Sequence, residues 1–180
     1  MKATDILKRE HQAILLAVAA AEEEAAYIAD TGKIHLQKVR EMADFFRNFV
    51  DRCHHAKEEK HLFAVMHEHG IPFENGPLAV MLHEHEQGRE CVRAIANAVA
   101  PREPDEQARR RAGENLALYA RLLREHINKE DHVLYPMADQ LLNTGDQDRL
   151  RKAFDRVESE ELGEGVHEKY HAWLNKPGRE

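Results

Sequence analysis

Cysteine is scarce in this sequence. Its 180 residues contain two, Cys53 and Cys91, and no CxxC pair. A disulfide framework and a thiolate zinc site are therefore not expected, and a reducing, cytoplasmic setting suits the chain. Glycine (9) and proline (6) are few, which leaves little room for long loops. Aromatic residues make up 6% and lie scattered, so no base-stacking platform is expected. Positive charge is not in excess either. The net charge is −7 with no basic stripe, which makes nucleic acid a poor partner. No apolar run approaches the roughly 20 residues of a membrane span. The nearest imitation of a targeting segment is Ala13 to Ala21, behind Lys2, Lys8 and Arg9. Asp5 and Glu10 break its basic region, and a helical stripe runs through it, so it reads as core helix rather than signal peptide.

What remains is a charge-rich composition, 42% hydrophobic and 33% charged, suited to amphipathic helices. Its anomaly is 13 histidines. Histidine is the commonest metal ligand, so its placement needs an account.

Four long helices are predicted, over about Thr4–Ala29, Ile34–His69, Pro77–Ala100 and Asp105–Leu142. Gly32, Gly70 with Pro72, Pro101 with Pro104, and Asn143-Thr144-Gly145 separate or end them. Short connections between long helices imply antiparallel neighbours, hence an all-α, up-down four-helix bundle. A further helical piece from Gln147 to Leu162 and a tail helix ending near Leu174 are expected to pack outside it. The organisation predicted is a bundle over residues 1–142 and a C-terminal helical extension over 143–180. No convincing 20–50-residue repeat is evident.

Positions three and four apart define the buried face of each helix. The stripes read Leu7, His11, Ile14, Val18; then Phe46, Val50, His54, Glu58; then Leu78, Leu82, His85, Val92; then Tyr119, Leu123, His126, Glu130, Leu134. Each stripe contains a histidine, and two carry a glutamate one turn later. Two unpaired carboxylates in a core would carry a severe desolvation cost, which a coordinated cation removes. Nitrogen and carboxylate ligands without thiolate suit iron, manganese or zinc. Four histidines and two glutamates exceed what one tetrahedral zinc needs and suit two ions. His55 and Glu59 repeat the same spacing, but only His54 and Glu58 continue the stripe and are preferred.

The pieces Arg9-Glu10-His11, His54-His55-Ala56-Lys57-Glu58-Glu59, Leu82-His83-Glu84-His85-Glu86 and His126-Ile127-Asn128-Lys129-Glu130 make the sequence similar to hemerythrin-like proteins of the HHE cation-binding family. The resemblance spans about Met1 to Leu142. It implies two iron ions bridged by carboxylates and an oxygen atom. His11, His54, His85 and His126 would be terminal ligands, and Glu58 and Glu130 would bridge. The invertebrate oxygen carriers have a second histidine on the third helix, where this chain has Met81 and Arg89. They also place the last carboxylate one residue later, at Asp131. The set here resembles bacterial di-iron proteins linked to nitric oxide and iron–sulfur repair, and the iron-sensing domain of a ubiquitin-ligase subunit. The resemblance thus implies redox or sensing chemistry rather than reversible oxygen carriage.

Two functions follow as expectations. One is a di-iron protein that binds or processes oxygen, nitric oxide or peroxide. The other is a sensor or interaction module in which metal stabilises the fold without catalysis. A ferritin-like oxidase fits less well, because the fourth helix has no ExxH pair. His61 is expected at the bundle end rather than as a ligand, and Tyr119 in core packing. His35, His67, His69, His83, His132, His167 and His171 are expected to be solvated, and Glu22-Glu23-Glu24 to be an exposed helix face.

Overall fold

The computed structural model describes residues 1–162 and Tyr170. Among them every regular element is helical. The predicted tail helix near Leu174, and His167 and His171, lie outside the described residues.

Helix α1 spans Ala3–Thr31 and stops at Gly32, whose φ of +68° suits only glycine and whose N–H bonds the Ile28 carbonyl. The second rod is continuous from α2 (Leu36–Phe45) to α3 (Phe63–Glu68), with π-helical stretches Phe46–His55 and Glu58–Leu62 between them. Helix α4 spans Gly76–Ala98, with Pro77 in its first turn, where a missing N–H costs nothing. Helix α5 (Glu106–Lys129) starts at Asp105, whose carboxylate accepts a 2.7 Å bond from the Ala108 amide. It runs through π-helical Glu130–Leu134 into α6 (Tyr135–Leu141). Helix α7 spans Thr144–Val157 and starts at Asn143, whose side chain accepts from the Asp146 amide.

The buried residues follow the predicted stripes except on α4, where Met81 is buried and Leu82 only half-buried, and they form two apolar clusters rather than one. The first holds Ile14, Val18, Phe46, Val50, Val92, Tyr119 and Leu123. The second holds Leu7, Leu62, Phe63, Met81, Leu134, Tyr135, Leu150 and Phe154. Along each long rod the site histidine falls between a residue of one cluster and a residue of the other, as His11 does between Leu7 and Ile14. The polar layer is therefore roofed and floored by apolar side chains, each contributing on the order of 1.5–3 kcal/mol. Gly113 lets α5 approach α1, because a Cβ there would stand 2.9 Å from Ile28. Helix α7 joins the second cluster through Leu150 and Phe154.

One helix-face expectation fails. Glu24 is buried, and its carboxylate accepts from the backbone amide and the ring Nδ1 of His35, both at 2.9 Å. A charge in a run of three reads as solvated, and only the returning chain after Gly32 supplies its donors.

Candidate metal centre

The six predicted residues converge. His11, His54, His85, His126, Glu58 and Glu130 are all at most 2% exposed. The Nε2 atoms of His11 and His54 lie 3.1 Å apart, and those of His85 and His126 lie 3.0 Å apart. The two glutamates stand between these pairs. Glu58 Oε2 is 3.7 Å from His54 Nε2 and 3.5 Å from His85 Nε2. Glu130 reaches His11 with Oε2 at 3.2 Å and His126 with Oε1 at 3.0 Å.

Outside this layer, each histidine is held by a carboxylate on its Nδ1. Asp131 holds His11 at 2.8 Å, Glu10 holds His54 at 2.8 Å, Glu59 holds His85 at 2.7 Å and Glu84 holds His126 at 2.8 Å. An ionised carboxylate only accepts, so each Nδ1 carries a hydrogen and each Nε2 faces inward, as a lone pair wherever the ring is neutral. Three of these carboxylates are backed by cations: Lys57 on Glu10, Arg89 on Glu59 and Lys129 on Glu84. Lys57 is itself fully buried and also bonds Glu158, just after α7.

Four Nε2 atoms and two carboxylates thus face one another in a buried interior. Glu58 Oε2 and both Glu130 oxygens have no hydrogen-bond donor, although all three are buried. The titration directions record this conflict. Burial raises the Glu58 carboxyl well above the usual range, and the negative Glu130 beside it adds to the rise. Burial acts the same way on Glu130, but His126 and His11 outweigh it and bring Glu130 well below that range. Burial opposes charge on His126, yet Glu130 and Glu84 raise it to about 9. A bound divalent cation would supply the positive charge that these buried carboxylate oxygens lack, and on that ground the residues fit a metal centre.

The site contains more than the six. His55, passed over on helical phase, is 3% exposed and stacks on His85 with ring centroids 3.8 Å apart. A nitrogen of His55 groups with donor atoms of Glu58, His85 and His126, all within 4.8 Å of one another; His11, His54 and Glu130 form the other such group. Glu59 and Asp131, read as lying off the site, position His85 and His11. Tyr135 donates a 2.6 Å bond to Glu58 Oε1, and its hydroxyl is 3.3 Å from His11 Nε2. His61 lies in neither group, and burial together with the positive charges of Arg156 and Lys60 lowers its pKa. Tyr119 is buried edge-on to Phe46, as expected of core packing.

A signal for most of these was present in the sequence. Glu10-His11 recurs as Glu84-His85. His54-x-x-Lys57-Glu58-Glu59-x-x-Leu62-Phe63 recurs as His126-x-x-Lys129-Glu130-Asp131-x-x-Leu134-Tyr135. The two copies share even the π turn, since the amides of Phe63 and Tyr135 bond the carbonyls of Glu58 and Glu130 five residues back. Such turns recur at functional sites.

A groove of about 690 Å³ between α1 and α5 is lined by none of the site residues. A cavity of about 100 Å³ lies instead beside the centre, lined by His55, Asp51, Gly88, Arg89 and Tyr119 among others. Among the described residues no helix is long and apolar enough to cross a membrane.

Comparison with known proteins agrees with the geometry. Uncharacterized proteins of Mycobacterium tuberculosis and Mycobacterium bovis are 24% identical to this chain over 127 residues, which cover 70% of it and 49% of each relative. The chain thus spans about half the length of these curated relatives. No solved structure matches it. The profile of the hemerythrin HHE cation-binding domain matches residues 2–138, and the chain belongs to that family.

Proposed function

We propose that this protein holds two iron ions between its four long rods, which form an up-down bundle of the hemerythrin type over residues 1–142, and that it binds or processes a small molecule there. In this reading the 143–180 segment is an extension on that bundle. The observation that carries the proposal is the pair of buried glutamates without hydrogen-bond donors, each facing histidine lone pairs from both halves of the site. His11 with His54, and His85 with His126, would each hold one ion, and Glu58 and Glu130 would bridge. When bound, the iron pair supplies electrons and Lewis acidity and leaves coordination positions for an exogenous ligand.

The chain's own residues contribute the rest. The carboxylates on Nδ1 fix ring orientation and raise the basicity of Nε2. Lys57, Arg89 and Lys129 moderate that basicity by sharing the carboxylate charge. Tyr135 keeps a hydroxyl proton on Glu58 Oε1, beside His11. The apolar clusters exclude water. A cavity of about 100 Å³ admits a few atoms, since one water occupies about 30 Å³ of liquid. Oxygen, nitric oxide and peroxide meet that limit.

A second reading, a metal-stabilised sensor or interaction module, has one observation in its favour. Lys57 ties Glu158, at the end of α7, to Glu10 and so to His54. Occupancy of the centre and docking of the C-terminal segment would then support each other.

The discriminating experiment is absorption spectroscopy of anaerobically reduced, iron-loaded protein on addition of oxygen, nitric oxide or peroxide. New ligand-dependent bands support the first reading. A spectrum unchanged by all three, in a protein that unfolds on metal removal, supports the second.

A further inference from the structure

The correspondence that pairs His54 with His126 and His11 with His85 extends away from the centre. In one half it runs through Leu123, Ile127, Ile14 and Leu15, which belong to the first apolar cluster or pack on it. In the other half the same positions are Asp51, His55, Gly88 and Arg89, and these line the cavity of about 100 Å³. One half is plugged with hydrocarbon where the other has a polar cavity.

Polar groups in its wall lack partners. His55 is 3% exposed, and its Nδ1 makes no hydrogen bond; Asp51 Oδ1, also in the wall, is too far at 3.6 Å. Metal binding does not account for this ring. It stacks on His85 with centroids 3.8 Å and planes 12° apart, and two rings so stacked do not both aim a nitrogen at one ion. Tyr119, 1% exposed, brings to the same wall a hydroxyl with no hydrogen bond among the described residues. Unpartnered buried polar groups are costly, and the apolar half avoids that cost.

The charge of the lining is positive, with Arg47, Arg89 and Arg93 set against Asp51 alone. Arg89 is fully engaged, with Nε 2.8 Å from Asp51 and Nη2 2.6 Å from Glu59. Arg93 bonds only the exposed Glu86, at 3.0 Å, and Arg47 has no ion pair among the described residues. Arg89 thus cancels Asp51, and the exposed Arg47 and Arg93 leave the cavity an excess of positive charge. A neutral small molecule needs none of this, since an apolar lining like that of the other half would admit it equally well.

From this asymmetry we infer that the cavity is a binding site for a small planar oxyanion of three or four heavy atoms, the class of nitrate, nitrite and bicarbonate. One water occupies about 30 Å³ of liquid, so about 100 Å³ takes an anion of that size. The planar guanidinium groups of Arg47 and Arg93 match its oxygens. At the buried end, His55 with its hydrogen on Nδ1 donates to it while the ring stays neutral. No metal enters this inference, which stands apart from the two-ion reading.

The test is isothermal titration calorimetry of the full chain with nitrate, at an ionic strength held constant with chloride. Nitrate is the probe because it is planar, keeps its charge at every working pH and is a weak ligand for metals. The wild type is expected to bind one nitrate with a dissociation constant of about 1 mM or tighter, within the reach of four heavy atoms. Arg47→Gln and Arg93→Gln change exposed side chains and should each weaken nitrate by at least about fivefold. His55→Ile, which copies the apolar half, should abolish binding. Displacement of nitrate by nitrite or by bicarbonate, whichever acts at the lower concentration, then tells a nitrogen oxyanion from a carbon one. A wild type that binds no nitrate has a cavity that holds water alone, and overturns the proposal. So does citrate, too large for the cavity, binding as tightly as nitrate. Nitrate affinity unchanged in both arginine variants, or in a folded His55→Ile protein, overturns it as well.

Discussion

Lys57→Met should destabilise the metal-free protein by about 3 kcal/mol at pH 7. Lys57 is fully buried and bonds Glu10, which is 5% exposed and bonds His54. Burial raises the Glu10 carboxyl, but the His54 bond and the Lys57 charge bring it from 4.5 down to about 2. At roughly 1.4 kcal/mol per unit, that depression corresponds to about 3 kcal/mol. It agrees with the 3–5 kcal/mol typical of removing one partner from a buried pair. The sign is that of a depressed acid: the contribution is fully present above pH 4.5 and is lost as pH falls toward 2. In Lys57→Met, Glu10 keeps its bond to His54 but loses its cation, so the share of this contribution that Lys57 supplies disappears and a buried carboxylate is left without it. The assay is urea unfolding of metal-free protein at pH 7, or melting, where the loss amounts to roughly 6–12 °C. The double variant Lys57→Met/Glu10→Gln should recover part of the stability, since no unpaired charge remains. A Lys57→Met protein as stable as the wild type, with no gain from the second change, would refute the argument.

Other outcomes follow from the same geometry. Glu58→Ala and Glu130→Ala should each lose at least one ion by metal analysis, because each carboxylate faces both histidine pairs. Glu59→Ala and Asp131→Ala should keep two ions at saturation but bind them about 10–100-fold more weakly in a chelator competition, because they act through His85 and His11. Tyr135→Phe should retain both ions and destabilise the protein by about 1–2 kcal/mol in urea unfolding, because the buried Glu58 Oε1 loses its donor. Metal-free protein should be most stable near pH 6.5. His126, raised to about 9, contributes stability below 6.5 that is lost as pH rises toward 9, while burial lowers His55 to about 4 and costs stability as pH falls from 6.5 toward 4. Melting temperatures from pH 4 to 9 check this; a steady trend in one direction would contradict it.

The sequence made much of this site legible for one reason. Apolar periodicity fixes a helical face, and a histidine within an apolar stripe stands out against it. His11, His54, His85, His126, Glu58 and Glu130 were all placed inward that way, and all are buried together. What the stripes missed has a common physical source. Strict 3.6-residue phase cannot place His54 and His55, or Glu58 and Glu59, at one centre. The π-helical stretches Phe46–His55 and Glu58–Leu62 depart from that phase, and both neighbours are used. The outer carboxylates were hidden because Glu10, Glu84 and Asp131 lie beside the stripe and meet their histidines on other helices. Glu24 was misread for a similar reason, since its partner arrives from beyond a turn. The repeat relating the two halves is written in the sequence, but its copies lie farther apart than the roughly 20–50 residues of a solenoid period.

The most direct test of the central claim is the metal content of the full chain after anaerobic loading with iron(II) and removal of excess. Two irons per chain in the wild type, and fewer in both Glu58→Ala and Glu130→Ala, is the result predicted. One ion or none in a folded wild type, or two ions that persist in both variants, would contradict it.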